Sequence, residues 1–438
     1  MTGIITTRDD ALAFLDSRIG GGVKPGLERI SGLLALMGDP HREVPVIHVA
    51  GTNGKSTTVR LIAGLLEAHG LGTGTFTSPH LQRLEERFTV RGRVLDDTEL
   101  VAAVADVVPF VEEHERRDET ALTYFEVTTA MAFSVFSTAG VDVAVVEVGL
   151  GGRWDATNVV DADVSVITGI AIDHTSWLGH SIADIAGEKA AILKAAGRLV
   201  SGALPAAAEG PITAQVSQMG ASWFRGAADF GVDEAQRATG GWVGDIRGVH
   251  ETYDEVFLPL HGRHQLDHLA TAVAAVEVFF GRALAPEAVR EAAAAATSPG
   301  RLEVITRRPL VLVDGAHNAQ GIEGLATTLA NEFPEAHRIL VVGFRGERDP
   351  VELLTPLRGL VGEVIATAAG DPEAVPGDSV AAAAREVFGP DTPVDVVTPV
   401  AEAAVEAVDR AGEDDAVVVT GSLYVVGEAR TRLLPGSR

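Results

Sequence analysis

The chain contains no cysteine. A disulfide framework, a thiol nucleophile and a cysteine-based zinc site are therefore excluded. Bases are also scarce: 61 acids face 35 bases, a formal net charge of -26 over 438 residues. Such a field repels a nucleic-acid backbone or an anionic membrane surface. Long apolar runs are missing as well. No window of about 20 residues escapes a charge or a glycine, so no membrane-spanning helix is expected. The opening residues, MTGIITTRDDALAFLD, lack a basic stretch followed by an apolar one and do not read as a secretory signal, which makes the cytoplasm the expected compartment. Lysine is the rarest base: Lys24, Lys55, Lys189 and Lys194 stand among 31 arginines. Where either base serves, this sequence has arginine. A retained lysine is thus a candidate for chemistry that a guanidinium cannot perform.

What is present suits a packed α/β protein. Hydrophobic residues make up 46% and charged residues 22%, and the length calls for two or three domains. Residues 8–40 carry apolar positions at helical spacing, broken by glycines at 20–22. A buried strand follows at 44–50, a Gly51-Thr52-Asn53-Gly54 turn, a helix over 55–69, a strand near 72–77 and a mostly helical stretch over 97–140. Continuous apolar runs at 141–148 and 163–170 read as parallel strands buried on both faces. Residues 181–196 form a helix capped by Ser181, residues 200–260 are irregular strands with long turns, and 264–281 and 286–296 are helices. Thr297-Ser298-Pro299-Gly300 breaks the pattern and places a domain boundary, giving units 1–297 and 298–438. Beyond it, strands at 310–314, 338–343, 363–367, 394–397 and 416–420 alternate with helices, which implies a second open parallel sheet.

The strongest local signal is HVAGTNGKST at 48–57. A buried strand enters a glycine turn and leaves as a helix that begins Lys55-Ser56. Backbone N–H groups there can cradle polyphosphate, the lysine can neutralise it, and the serine hydroxyl can ligate Mg²⁺. The spacing is a variant, GxxGKS. Glu147 ends the buried strand after Asp142, at the edge where open α/β sheets bind ligands. Asp173 and His174 end a second strand at the same edge. Gly149-Leu150-Gly151 is not a dinucleotide fingerprint, since Arg153 and Trp154 stand where the third glycine and a helix belong. His264 and His268 are one helical turn apart, near His261. Zinc would need a further ligand and a Glu base, so a polar contact where loop meets helix is the simpler reading. In VLVDGAHN (311–318) an acid at a strand end precedes a small turn and a His-Asn helix start, suited to nucleotide or substrate contacts or to capping. Arg301 is a lone cation at the hinge.

KPGLERI (24–30), IHVAGTNGKS (47–56), TSPHL (77–81), ERF (86–88), FEVTTAMAF (125–133), EVGLGGRWDATN (147–158), DH (173–174), GEKAAI (187–192), GRHQ (262–265), PGRLEVI (299–305), DGAHN (314–318) and GSLY (421–424) occur in this order. Together they resemble the folylpolyglutamate synthase/dihydrofolate synthase family of Mur-type ligases, from about residue 11 to the end. The resemblance implies a P-loop Mur-ligase-type ATPase domain that also binds a pterin, and a smaller Rossmann-like α/β domain for glutamate ligation. It implies ATP-dependent addition of L-glutamate to dihydropteroate, to a reduced folate, or to both, through an acyl phosphate.

Matched motif by motif, the resemblance gives Gly51, Thr52, Asn53, Gly54, Lys55, Ser56, Thr57, His264, Gln265, Arg301 and Asp314 contacts with ATP. Ser56 and Glu147 would hold one Mg²⁺. Glu147, His174 and Lys189 would hold a second, with Lys189 carbamylated. A monovalent cation also belongs to this picture. Lys55, His174, Lys189 and His317 would be catalytic. Ser78, His80, Arg83 and Asp155 would serve the pterin acid, and His317 and Ser422 the glutamate. The resemblance implies a monomer, with no nucleic acid and no membrane. Four positions depart from the family pattern: Ser56 follows Lys55 directly where GTNGKGS is common, His268 replaces an Asn, Ala319 replaces a Pro, and RGERD (345–349) stands where Lys-Asp is usual, with Arg348 as the substitute cation. The competing readings are a ligase for another carboxylic acid, a non-catalytic P-loop nucleotide-binding regulator, and a nucleic-acid-dependent ATPase that the charge disfavours.

Overall fold

The apolar runs fold as strands covered on both faces. In the computed structural model, which describes residues 4–20, 24–118, 120–334, 337–346 and 348–434, they build three sheets. Gly21 and Gly22 of the expected break and Glu347 of RGERD lie outside the described residues. The first sheet holds β1 (Val46–Ala50), β2 (Thr73–Phe76), β3 (Phe88–Val90), β4 (Arg93–Val94), β5 (Val143–Glu147), β6 (Val164–Ile167), β7 (Arg198–Ser201) and β8 (Ser222–Arg225). Its order is β4-β3-β2-β5-β1-β6-β7-β8, parallel except for the β3–β4 edge. Alternate side chains serve different helix layers. Val46, Ala144 and Val146 pack with the helices Arg8–Asp16, Glu28–Leu36, Asp97–Asp118 and Tyr124–Ala139. Ile47, Val49, Val143 and Val145 pack with Lys55–Ala68, His264–Phe280 and Pro286–Ala294. A strand with no polar face is the consequence.

β9 (Gly231–Ala238), β10 (Gly241–Arg247) and β11 (Thr252–Leu258) form an antiparallel sheet against helix His264–Phe280. The third sheet holds β12 (Glu303–Arg307), β13 (Leu310–Val313), β14 (Arg338–Val342), β15 (Glu363–Ala366), β16 (Val394–Val396) and β17 (Ala416–Thr420), in the order β12-β13-β17-β14-β15-β16. Only β12 is antiparallel. Leu312, Leu340 and Val418 face the helices Ala319–Glu332 and Gly377–Phe388, while Val311, Val341 and Val417 face Val400–Arg410 and Leu423–Leu433. The fold is thus α/β, with an N-terminal loop-bearing domain and a smaller α/β C-terminal domain.

Several expectations need correction. The irregular stretch at 200–260 contains a helix, Ala206–Met219, whose Gly210 and Pro211 disguise it in sequence. It buries little beyond Ala208 and Ile212, so the apolar stripe that reveals a helix is faint. The turn between β9 and β10 is two residues, Thr239-Gly240, rather than long. The stretch 97–140 is mostly helical as expected, and consists of two helices, the second opened by a Thr123/Glu126 capping box. The helix after Ser181 has the expected cap, a Ser181/Asp184 box, but ends at Ala190. No helix among the described residues is long and apolar enough to cross a membrane.

Candidate active site

The turn after β1 is held open by what surrounds it. Gly51 has φ +153°, and a Cβ there would come within 1.9 Å of Thr168 Oγ1. Gly54 has φ +79°, and a Cβ would strike the His268 ring at 2.2 Å. Glycine is required at both positions. Thr52 N–H donates to Gly169 O (2.9 Å) and Thr168 Oγ1 donates to Asn53 O (2.6 Å), so the loop leans on the segment after β6. Lys55 Nζ donates to Gly51 O and Thr52 O, both at 3.2 Å. Of two consecutive hydroxyls, Ser56 Oγ donates to Glu147 (2.8 and 3.0 Å), whereas Thr57 is buried against Ser298 Oγ at 2.8 Å. The serine that departs from the family loop therefore faces the acid.

Glu147 is not a solvated strand end. It is 1% exposed, and Ser78 N–H also donates to it at 3.2 Å. Burial pushes its carboxyl up, against the pull of the Lys55 charge and the Ser56 hydroxyl. Lys189 is buried and donates from Nζ to Gly51 O at 2.8 Å. Burial first, then the Lys55 charge, push its ammonium down to about 7. His174 caps the short helix Thr175–Leu178 at φ +50°, with Nε2 3.9 Å from Asp173 Oδ2. Partial desolvation in the cleft, with the Arg348 charge, shifts its ring toward the neutral form.

The C-terminal domain meets this edge at Asp173. Asn318 Nδ2 donates to Asp173 Oδ2 (2.9 Å), Arg348 Nη2 donates to Oδ1 (3.1 Å), and His317 Nε2 lies 3.6 Å from Oδ2. Burial opposes ionisation of Asp173, but the His317 and His174 rings and the Asn318 amide overcome it. The carboxyl stays well below the usual carboxylate range. Asn318 and Asn53 exchange hydrogen bonds at 3.0 and 3.2 Å, tying the loop to the other domain. Asp314 accepts from Leu302 N–H (2.8 Å) and Ala316 N–H (2.9 Å), which shapes the DGAHN turn. A cavity of about 880 Å³ lies between the domains. Its wall includes residues 51–57, Ser78, Glu147, His174, Lys189, His264, Gln265, Arg301, Asp314 and His317.

Not every candidate reaches it. Asp155 is buried as the cap of the 156–159 turn and accepts from Leu150 N–H (2.8 Å) and Thr157 N–H (3.0 Å). Ser422 is buried as the cap of helix Leu423–Leu433. Arg83 is bound at the surface by Glu85 and Asp97. His80 accepts from Arg87 Nε at 3.0 Å and borders a second cavity of about 660 Å³, which shares Ser56, Pro79, Arg301 and Leu423 with the first. His261 pairs with Glu332 at 3.0 Å, apart from the T-shaped His264–His268 contact. Among the described residues no three His, Asp or Glu side chains form a metal cluster. The contacts Asp173–Asn318, Asp173–Arg348 and Asn53–Asn318 were not legible in the sequence. These join residues 145 to 265 positions apart, a distance no local spacing rule spans.

Known proteins share this chain's sequence pattern and fold. Residues 49–276 match the Mur ligase middle domain, and residues 300–423 match the Mur ligase glutamate ligase domain. The dihydrofolate synthase/folylpolyglutamate synthase of Mycobacterium tuberculosis is 39% identical across 98% of this chain and 96% of its own. The Bacillus subtilis protein of the same name is 34% identical across 98% and 100%. The chain belongs to the folylpolyglutamate synthase/dihydrofolate synthase family. The solved M. tuberculosis folylpolyglutamate synthase complexed with ADP superimposes with a TM-score of 0.94, at 39% identity, covering 98% of this chain and 99% of that one.

Proposed function

We propose that this protein is an ATP-dependent ligase that joins L-glutamate to a pterin acid: dihydropteroate, a reduced folate, or both. The observation that carries this reading is the Lys55–Ser56–Glu147 edge with Lys189 buried beneath it, facing DGAHN across one cavity. We divide the chain at residues 297 and 298, because the cores up to Ala296 and from Leu302 onward are separate.

The loop N–H groups and Lys55 hold the ATP phosphates, with His264, Gln265, Arg301 and Asp314 on the remaining wall. The γ-phosphoryl group passes to an oxygen of the acceptor carboxylate and ADP departs. The glutamate amine then attacks that acyl carbon. The amide bond forms, the acyl C–O bond breaks, the amine loses a proton, and phosphate leaves with the acceptor oxygen. His317, steadied by Asp173, lies on the glutamate side. Positioning and charge neutralisation supply most of such catalysis.

The residues present fit Mg²⁺. A hydroxyl and a buried carboxylate in direct contact are hard oxygen donors. Ser56 and Glu147 would hold one ion; Glu147, His174 and Lys189 would hold another. When bound, the ions supply charge neutralisation on the phosphates. Lys189 fits carbamylation, since burial leaves much of its amine neutral near pH 7, the form that adds CO₂ and releases a proton. A test is isotope transfer: with acceptor carboxylate labelled in ¹⁸O, one label is expected in each phosphate released. Unlabelled phosphate would overturn the acyl-phosphate route.

A further inference from the structure

Helix Ala319–Glu332 is tied to the N-terminal domain at both ends. Its first end carries Asn318, bound to Asn53 and Asp173. Its last residue, Glu332, lies about 20 Å away at a helical rise of about 1.5 Å per residue. Between the two ties, Gln320, Gly321, Gly324 and Leu325 face the first cavity. The Glu332 carboxylate is 5% exposed, and its donors come from the other domain: Trp242 Nε1 (2.9 Å) and Gly262 N–H (2.8 Å) on Oε1, and His261 Nδ1 (3.0 Å) on Oε2. Burial opposes its ionisation, but these bonds, led by that of His261, outweigh it. Beside it Arg237 donates to the carbonyl of Asn331 and, at 3.2 Å, to that of Glu332, a cation at the helix C-terminus. A buried carboxylate keeps its charge only where its donors are fixed, so this contact defines one docked position.

What Glu332 holds leads to the nucleotide loop. Gly262 has φ +94°, and a Cβ there would come within 2.4 Å of the His264 ring, which therefore lies directly over the turn. Gln265 N–H donates back to Gly262 O at 2.9 Å, so the same turn starts helix His264–Phe280. The His264 ring meets the His268 ring edge-on, with centroids 5.8 Å apart. His268 in turn packs on Gly54, its ring 2.2 Å from where a Cβ would stand. Burial shifts both rings toward the neutral form, and at His264 the Glu332 charge opposes this after those of Asp314 and Asp267. Carboxylate, turn, two rings and loop thus form one packed series from the C-terminal domain to the phosphate site.

We propose that Glu332 is a positioning residue for ATP. By holding the Gly262 turn it sets the His264 ring and Gln265, and through His268 the loop at Gly54. The nucleotide pocket then takes its binding shape when the C-terminal domain docks. This rests on the ligase reading above, in which that pocket holds ATP. Glu332 acts through the turn and touches no reacting atom, so it governs KM for ATP rather than the chemical step. The glutamate side keeps its own tie at Asn318 and Asp173.

The experiment measures kcat and the KM values for ATP and L-glutamate by phosphate release, and ADP affinity by calorimetry. Glu332→Ala is expected to raise KM for ATP and weaken ADP by about tenfold, the loss of one charged hydrogen bond, with KM for L-glutamate unchanged. Glu332→Gln keeps an oxygen for Trp242 and Gly262 and an amide for His261, and is expected to restore the wild-type KM. Trp242→Phe removes one donor but leaves the turn held, and is expected to lower the melting temperature without changing KM for ATP. Equal rises in both KM values, or a lower melting temperature with both KM values intact in Glu332→Ala, would overturn the proposal and leave Glu332 a structural contact between domains. Glu332→Gln as weak as Glu332→Ala would overturn it by making charge, not the held turn, the cause. Should Glu332→Ala fail to fold, Glu332→Asp decides by the same comparison, since it keeps the charge but draws it back by one methylene. Wild-type protein that binds no ADP, or releases phosphate with neither acceptor, refutes the ligase reading itself. Turnover with unshifted ATP and ADP values in the variants refutes only this inference.

Discussion

Lys189 shows how much one residue can disclose. In a chain of 31 arginines and four lysines it stands after Glu188 in a helix, and in the fold its amine lies under Gly51 with its charge depressed. Lys189→Arg keeps a cation but cannot add CO₂. The account expects a loss of kcat on the order of a hundredfold or more, since removing one such electrostatic group costs that much, and full activity would contradict the carbamate. Lys189→Ala is expected to regain part of its rate when small carboxylates are added. Glu147→Gln is expected to raise the Mg²⁺ concentration for half-maximal rate about tenfold or more, and an unchanged metal titration would remove Glu147 from the ligand set. Lys55, Ser56 and Glu147 were legible because a glycine turn and a strand end are local features. The tie between Asn53 and Asn318 was not, because it joins residues 265 positions apart.

At the scale of elements, strands with two covered faces were the easiest to read, because a short continuous apolar run between turn residues fits little else. Edge strands such as β12, and the helix Ala206–Met219, were harder. That helix is exposed over most of its surface and contains both residues that usually end helices. Gly210 nevertheless has an ordinary helical backbone, and a Cβ added there would meet nothing within 4 Å. Gly210→Ala is therefore expected to stabilise the protein by about 0.5–1 kcal/mol, as read by chemical denaturation. A loss of stability would mean that the glycine serves a contact outside this fold.

At the scale of the whole molecule, two domains meet over two carboxylates. Asp173 gathers Asn318 and Arg348, and Glu332 gathers Trp242 Nε1 (2.9 Å), Gly262 N–H (2.8 Å) and His261. None of this was visible in sequence, since each pair joins residues from separate cores. Acid should loosen the molecule through its buried histidines. His48 is fully buried against Thr157 Oγ1 (2.8 Å), and burial holds its pKa at about 3. The folded value lies below the unfolded one, near 6.5, so the unfolded chain binds the extra proton between these limits. Stability is complete above pH 6.5 and falls by about 1.4 kcal/mol per pH unit below it from this residue. His48→Gln is expected to flatten that slope in melts between pH 7 and pH 4, and an unaltered slope would assign the acid sensitivity to other groups.

The central claim is ligation of glutamate to a pterin acid, and phosphate release tests it most directly. ATP and Mg²⁺ are supplied throughout, and L-glutamate and the acceptor (dihydropteroate or tetrahydrofolate) are each added or withheld. The account predicts release only when both glutamate and an acceptor are present, with the acceptor gaining one glutamyl residue by mass. Release that is indifferent to glutamate, or absent with both acceptors, would contradict it.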